Sequence, residues 1–136
     1  MKPVLDTVVI YILIIDDDSD DHFLLKSAIR EVMPQAIVES VYDGSEARDF
    51  LENCTTLPDL IFLDLNMPIV SGMSTIQIIR GNENLSGVPL IILTTSTRDE
   101  DKEQALRLGA SEFYSKPYNQ QDLVKIVRNV RKKWLE

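Results

Sequence analysis

The sequence predicts a three-layer α/β sandwich, a parallel five-stranded sheet with five helices packed on its two faces. Five short runs rich in apolar and β-branched residues recur along the chain, each too short for a core helix. Stretches with a helical period of apolar residues lie between them, so strand and helix alternate five times, the pattern that right-handed crossovers build on a parallel sheet. The longer runs are apolar without alternation, as strands covered on both faces are.

The first run is residues 8–15, from Val8 and Val9 to Ile14 and Ile15. It falls far short of the roughly 20 residues that cross a bilayer. It ends in Asp16, Asp17 and Asp18 where a secretory signal would place small residues for cleavage, so a cytoplasmic protein is expected. Leu24, Leu25, Ala28, Ile29 and Val32 then mark the apolar face of a helix capped by Ser19 and closed by Pro34. Residues 36–41 form the second run. The pair Asp43 and Gly44 turns the chain into a second helix over 45–54. The third run, Leu60–Leu63, follows Pro58 and Asp59, and a helix over 73–80 should half-bury Ile76, Ile79 and Arg80. The fourth, Leu90–Thr94, follows Pro89. Thr97 and Glu100 have capping-box spacing for a helix that runs to about Leu108 and stops at Gly109. The fifth run, 113–115, stops at Lys116 and Pro117, and Leu123, Val127, Val130 and Trp134 stripe the last helix.

At 136 residues the chain is the size of one domain, with a core over about 8–134 and no room expected for an output domain. Its 44% hydrophobic content is enough to bury a sizeable core, which excludes disorder for most of it. The net charge of −8 repels nucleic acid and anionic lipid, so neither is an expected partner. Cys54 is the only cysteine and His22 the only histidine, which excludes an intrachain disulfide and an ordinary Cys/His zinc site.

In open parallel sheets ligands collect at the carboxyl ends of the strands, near the point where strand order reverses. Here those ends carry Asp16 and Asp17, then Asp64, Thr94 and Lys116. A parallel sheet brings them to one edge. Two like charges about 4 Å apart repel by about 4 kcal/mol at an effective dielectric of about 20, so the acids must bind a proton or a cation. Oxygen ligands without His or Cys select Mg²⁺, Mn²⁺ or Ca²⁺, and a small set that leaves room for water and phosphate suits Mg²⁺ best. With Lys116 beside such an ion the charge is near balance before an anion arrives, which invites a phosphoryl group.

These motifs carry a resemblance. Ile14-Ile15-Asp16-Asp17, Asp64-Leu65-Asn66-Met67-Pro68 with Gly72 beyond, Leu93-Thr94-Thr95-Ser96 and Lys116-Pro117 follow one another as in the receiver domain of two-component response regulators. The resemblance implies a flavodoxin-like sheet of order 2-1-3-4-5, with Asp64 as phosphoacceptor from the phosphohistidine of a sensor kinase or phosphotransfer protein. It implies that Asp17 ligates Mg²⁺ (Mn²⁺ as substitute) directly, Asp16 through water and Asn66 through its backbone carbonyl. Lys116, the Thr94 hydroxyl and the Thr95 amide would hold phosphoryl oxygens. A cis Lys116–Pro117 bond would aim the ammonium. Phosphorylation would draw Thr94 inward with Phe113 behind it and alter the face made by the fourth helix, fifth strand and fifth helix, through which the family also dimerises. Phe113 lacks the hydroxyl of a Tyr, and Thr95 is bulkier than the Ala common at its place. The Leu93–Ser96 stretch and the Trp134-Leu135 ending resemble small regulators that partner bacterial phytochrome kinases.

Two other functions compete. A Mg²⁺-dependent phosphatase with an aspartate nucleophile would want a second Asp two residues on, where Asn66 stands, and usually a cap domain. A phosphorylation-independent interaction module on the same fold would have no use for the intact acid, Thr and Lys set. An EF-hand counted from Asp16 would find Asp21 for its Gly and Ser27 for its Glu. Asp18, Asp20 and Asp21 are expected as cap and helix-start charges, His22 as a surface residue and Cys54 as an inert thiol. Tyr118 and Trp134 suit packing as well as a partner surface. The cations Arg128, Arg131, Lys132 and Lys133 complement the carbonyl end of the last helix.

Overall fold

A computed structural model describes residues 9–136 of the chain. Strands β1 (Tyr11–Ile15), β2 (Ile37–Val41), β3 (Leu60–Leu63), β4 (Leu90–Thr94) and β5 (Glu112–Ser115) alternate with helices α1 (Ser19–Val32), α2 (Gly44–Asn53), α3 (Gly72–Arg80), α4 (Asp99–Leu108) and α5 (Gln120–Val130). All strand pairings are parallel and the order is β2-β1-β3-β4-β5, as the sequence predicts. Val8, placed in the first strand by composition, lies outside the described residues.

The uninterrupted apolar runs follow from double-sided burial. Leu13, Ile15, Ile61, Leu63, Leu90 and Ile92 point into one core with α2, α3 and α4, while Ile12, Ile14, Leu60, Phe62, Ile91 and Leu93 point into another with α1 and α5. Each side chain so buried stabilises the fold by about 1.5–3 kcal/mol relative to exposure. The edge strand β2 has helix cover over only part of its length, and Ile37 and Glu39 are exposed.

Several boundaries correct the sequence reading. Asp18 caps α1, its side chain accepting the Asp20 and Asp21 amides, and Ser19 is already the first helical residue. Asp43 caps α2, which includes Gly44 and ends one residue before Cys54. Ser71 caps α3. The capping box before α4 does not form: Arg98 occupies the cap position, and its guanidinium holds Glu100 by two hydrogen bonds of 3.1 and 2.7 Å. Ser96 replaces the expected Thr97, accepting from the Arg98 amide and donating to Asp101. Gly109 does end α4, at a φ of 121° that favours glycine. α5 runs on into a wider π-helical turn, Arg131–Leu135, whose Trp134 packs on the second core and donates its indole N–H to Glu112 at 2.9 Å.

Arg80 does more than half-bury its stem. Its guanidinium donates to the carbonyls of Gly109 and Leu85, each at 2.8 Å, and ties the end of α3 to the turn before β5.

Candidate functional site

Strand order reverses between β1 and β3, and the site lies at their carboxyl ends. Ile15 pairs with Leu63 in register, so Asp16 and Asp64 leave the sheet side by side. The ladder continues through them: the Asp64 amide donates to Ile15 at 3.0 Å and the Asp16 amide to Val41 at 3.2 Å. Both residues are only 5% exposed, whereas Asp17 next to them faces solvent.

Each buried acid is held by the turn that follows it. Asp16 Oδ1 accepts the Asp18 amide at 2.9 Å, and Asp64 Oδ1 accepts the Asn66 amide at 3.1 Å. Gly72 lets α3 close on this second turn, since a Cβ there would lie 2.3 Å from Leu65 Cα and 2.7 Å from the Asp64 carbonyl oxygen. As a result Asp16, Asp17 and Asp64 each offer a carboxylate oxygen within 4.8 Å of the other two. Three hard oxygen donors with no nitrogen or sulfur fit a divalent cation of the Mg²⁺ or Mn²⁺ kind.

Lys116 enters from β5. Its amide donates to the Thr94 carbonyl at 2.7 Å, and its Nζ donates to Asp16 Oδ2 at 2.8 Å, Asp64 Oδ2 at 3.2 Å and Asp21 Oδ2 at 2.6 Å. No cis peptide occurs among the described residues, so the expected cis Lys116–Pro117 bond is corrected to trans. Trans is the favoured isomer of an X–Pro bond, and from it the ammonium already reaches all three carboxylates. Burial opposes the charge of Lys116, but its hydrogen bonds to Asp16 and Asp21 and the nearby Asp64 outweigh burial and raise its pKa above the ordinary value. Burial likewise raises the Asp16 carboxyl, helped by the charge of Asp64, while the bonds from Lys116 and the Asp18 amide pull against it.

Thr94 ends β4 fully buried, and the Asn66 side-chain amide bridges its hydroxyl at 3.3 Å and that of Thr95 at 2.8 Å. The structure therefore gathers Asp16, Asp17, Asp64, Asn66, Thr94, Thr95 and Lys116. Phe113 stands apart, half-buried against the core under α3 and α4.

Two residues behave differently from expectation. Asp21 belongs to the site through Lys116. His22 is no surface residue: it is 2% exposed, its Nε2 donates to the Asp16 carbonyl at 2.8 Å, and its ring lies 4.4 Å from that of Tyr42. The signal for burial was its spacing from Leu25 and Ile29, which puts it on the core stripe in place of Leu24, itself exposed. Ile69, Tyr118 and Phe23 are strongly exposed on the loops after β3 and β5 and the first turns of α1, around the rim of the same edge.

The family described as Response regulator receiver domain matches residues 12–128. The probable methanogenesis regulatory protein FilR2 of Methanothrix harundinacea (strain 6Ac) is 30% identical over 128 residues, covering 91% of this chain and 83% of that protein. Among solved structures, the phosphorylated cyanobacterial phytochrome response regulator RcpA superposes with a TM-score of 0.87 at 28% identity, covering 95% of this chain and 96% of that one. The Mn²⁺-bound form of response regulator Rcp1 gives 0.81 at 29% identity, covering 93% and 94%.

Proposed function

Because the chain belongs to the response regulator receiver family of two-component systems, we propose that it is a phosphoacceptor whose Asp64 takes a phosphoryl group from the phosphohistidine of a sensor kinase or phosphotransfer protein. The observation that carries this reading is the meeting of Asp16, Asp17 and Asp64 within 4.8 Å around the ammonium of Lys116.

An Asp64 carboxylate oxygen attacks phosphorus, the phosphorus–nitrogen bond to the donor imidazole breaks, and an acyl phosphate results. Asp16, Asp17 and Asp64 with the Asn66 carbonyl would hold Mg²⁺, or Mn²⁺ in its place, which supplies positive charge against the phosphoryl oxygens. Lys116 adds an ammonium, already 3.2 Å from Asp64. The Thr94 hydroxyl turns from Asn66 toward a phosphoryl oxygen, and the Thr95 amide donates to another. Movement of Thr94 leaves room behind it, and Phe113, half-buried, turns inward to fill it. The readout is an altered α4-β5-α5 face that meets a downstream protein or a second copy of the chain. The exposed rim of Ile69, Tyr118 and Phe23 supports docking of a protein donor over the site. The net charge of −8 speaks against nucleic acid and membrane as direct partners. Among the described residues no helix is long and apolar enough to cross a membrane, and the reading places the reaction in the cytoplasm.

The test is incubation with acetyl phosphate and Mg²⁺, followed by intact mass. One added phosphoryl group, dependent on Mg²⁺ and absent from Asp64→Asn, is the expected result. No adduct on the wild type, or an equal adduct on the variant, overturns the reading. Rapid multiple turnover of simple phosphomonoesters would make the protein a phosphatase instead.

A further inference from the structure

An ammonium has three N–H bonds, and Lys116 directs all three at carboxylates: Asp16, Asp64 and Asp21. A phosphoryl oxygen that binds Lys116 must therefore displace one of them. Asp16 and Asp64 are poor candidates, because each is buried, each is also held by a backbone amide, and both belong to the cation-fitting trio. Asp21 differs on every count. It lies on the first turn of α1 with its side chain 33% exposed, and among the described residues its carboxylate has no other hydrogen bond. It nonetheless makes the shortest of the three contacts, 2.6 Å, and adds a fourth negative charge to the site.

We propose that Asp21 is a built-in competitor for Lys116, a carboxylate that holds the ammonium in the resting site and must yield it to the phosphoryl oxygen, turning into water itself, when a phosphoryl group arrives. The proposal rests on Asp64 being the phosphoacceptor and adds a regulator of that site. Asp21 then weakens phosphoryl binding in two ways, by occupying a donor and by repelling the dianion, and so favours the unphosphorylated state.

Beryllofluoride, a phosphoryl mimic that binds without covalent transfer, separates the possibilities. Its affinity is measured for the 136-residue chain by titration followed by ¹⁹F NMR at saturating Mg²⁺. Asp21→Asn and Asp21→Ala are expected to bind it about tenfold more tightly than wild type, between the limits for removing one nearby charge in water and at a protein surface. Asp21→Glu, which keeps the charge, should stay near the wild-type value. If Asp21 instead served to position Lys116, both neutral variants would bind more weakly, with Ala worse than Asn. Unfolding midpoints without beryllofluoride identify any loss of stability, and the near-isosteric Asn variant on an exposed first turn keeps the comparison open if Ala folds poorly. Wild-type binding with no gain in either neutral variant removes this proposal alone. Failure of the wild type to bind removes the phosphoacceptor reading as well.

Discussion

Replacing Lys116 with Met keeps the length of the stem and removes only the charge. In the folded chain that charge touches three carboxylates at 2.6–3.2 Å, and the side chains of Asp16 and Asp64 are 7% and 6% exposed. Removing one partner from a buried charged cluster costs about 3–5 kcal/mol, because the remaining charges stay uncompensated. Asp21 can turn into water and Asp17 is already exposed, so the lower end applies, and Lys116→Met should lose about 3 kcal/mol at pH 7 without divalent cation. The loss should shrink in acid. Burial first, then the charge of Asp64, holds the Asp16 carboxyl above its ordinary value even with Lys116 present. A carboxyl raised by folding contributes stability that is complete below its unfolded pKa and is lost as the pH climbs through the folded one. Without the ammonium the carboxyl rises further, so protonation relieves the cluster and the deficit should be smaller at pH 5 than at pH 7. Mg²⁺ should also narrow the gap, since it binds the variant more tightly than the wild type. Urea unfolding at pH 5 and pH 7, with EDTA or Mg²⁺, measures all of this. A deficit below about 1 kcal/mol at pH 7, or one identical at both pH values, would refute an electrostatic role for Lys116 in the resting fold.

Gly72→Ala should cost about 3 kcal/mol, because the new Cβ would lie 2.3 Å from Leu65 Cα and backbone cannot yield as a side chain can. Thermal unfolding reads the loss, and Mg²⁺ affinity should fall with it as the Asp64 turn shifts. Glu112→Gln tests the attachment of the C-terminal turn to β5. Burial pushes the Glu112 carboxyl up, but bonds from Lys133 at 2.7 Å and Trp134 at 2.9 Å outweigh it and leave the pKa below its ordinary value. A lowered carboxyl contributes stability above its unfolded pKa and loses it as the pH falls. The variant should therefore be about 1 kcal/mol less stable at pH 7, with the difference shrinking as the pH falls toward 3, by chemical unfolding at the two pH values.

The strands were legible because double burial leaves a run of apolar residues that no other short element needs, and Leu60–Leu63 and Leu90–Thr94 match to the residue. The acid edge was legible for a related reason: once the strands are parallel, the residue after each run must sit at the same end. What local patterns could not settle were choices between near-equal partners. Ser19 and Asp18 both cap well, and Asp18 won because its side chain reaches two amides at once. Thr97 and Glu100 had the right spacing, but Arg98 claimed the glutamate. The Asp21–Lys116 contact joins residues 95 apart in sequence and depends on how α1 lies against the loop after β5, which no helix or strand period encodes.

The acid edge as a whole works against the stability of the fold. Fold stability alone would favour apolar residues where Asp16, Asp64 and Thr94 are buried, since strand neighbours such as Ile15, Leu63 and Leu93 extend the same cores. The polar residues break the rule only at the carboxyl ends of the strands, and the resting chain offsets the conflict with a single ammonium that touches three of the four carboxylates gathered there. The imbalance leaves the edge strongly negative, and a divalent cation would cancel most but not all of that charge. A phosphoryl dianion approaching the cation-free edge would be repelled by the carboxylates, whereas with a dication bound most of that repulsion would be gone. Reciprocity then requires that bound cation tighten the anion by the same factor as bound anion tightens the cation. On the proposed mechanism Lys116 would be repelled by the cation and claimed by the anion, and either ligand would have to compete with its three present partners, Asp16, Asp21 and Asp64.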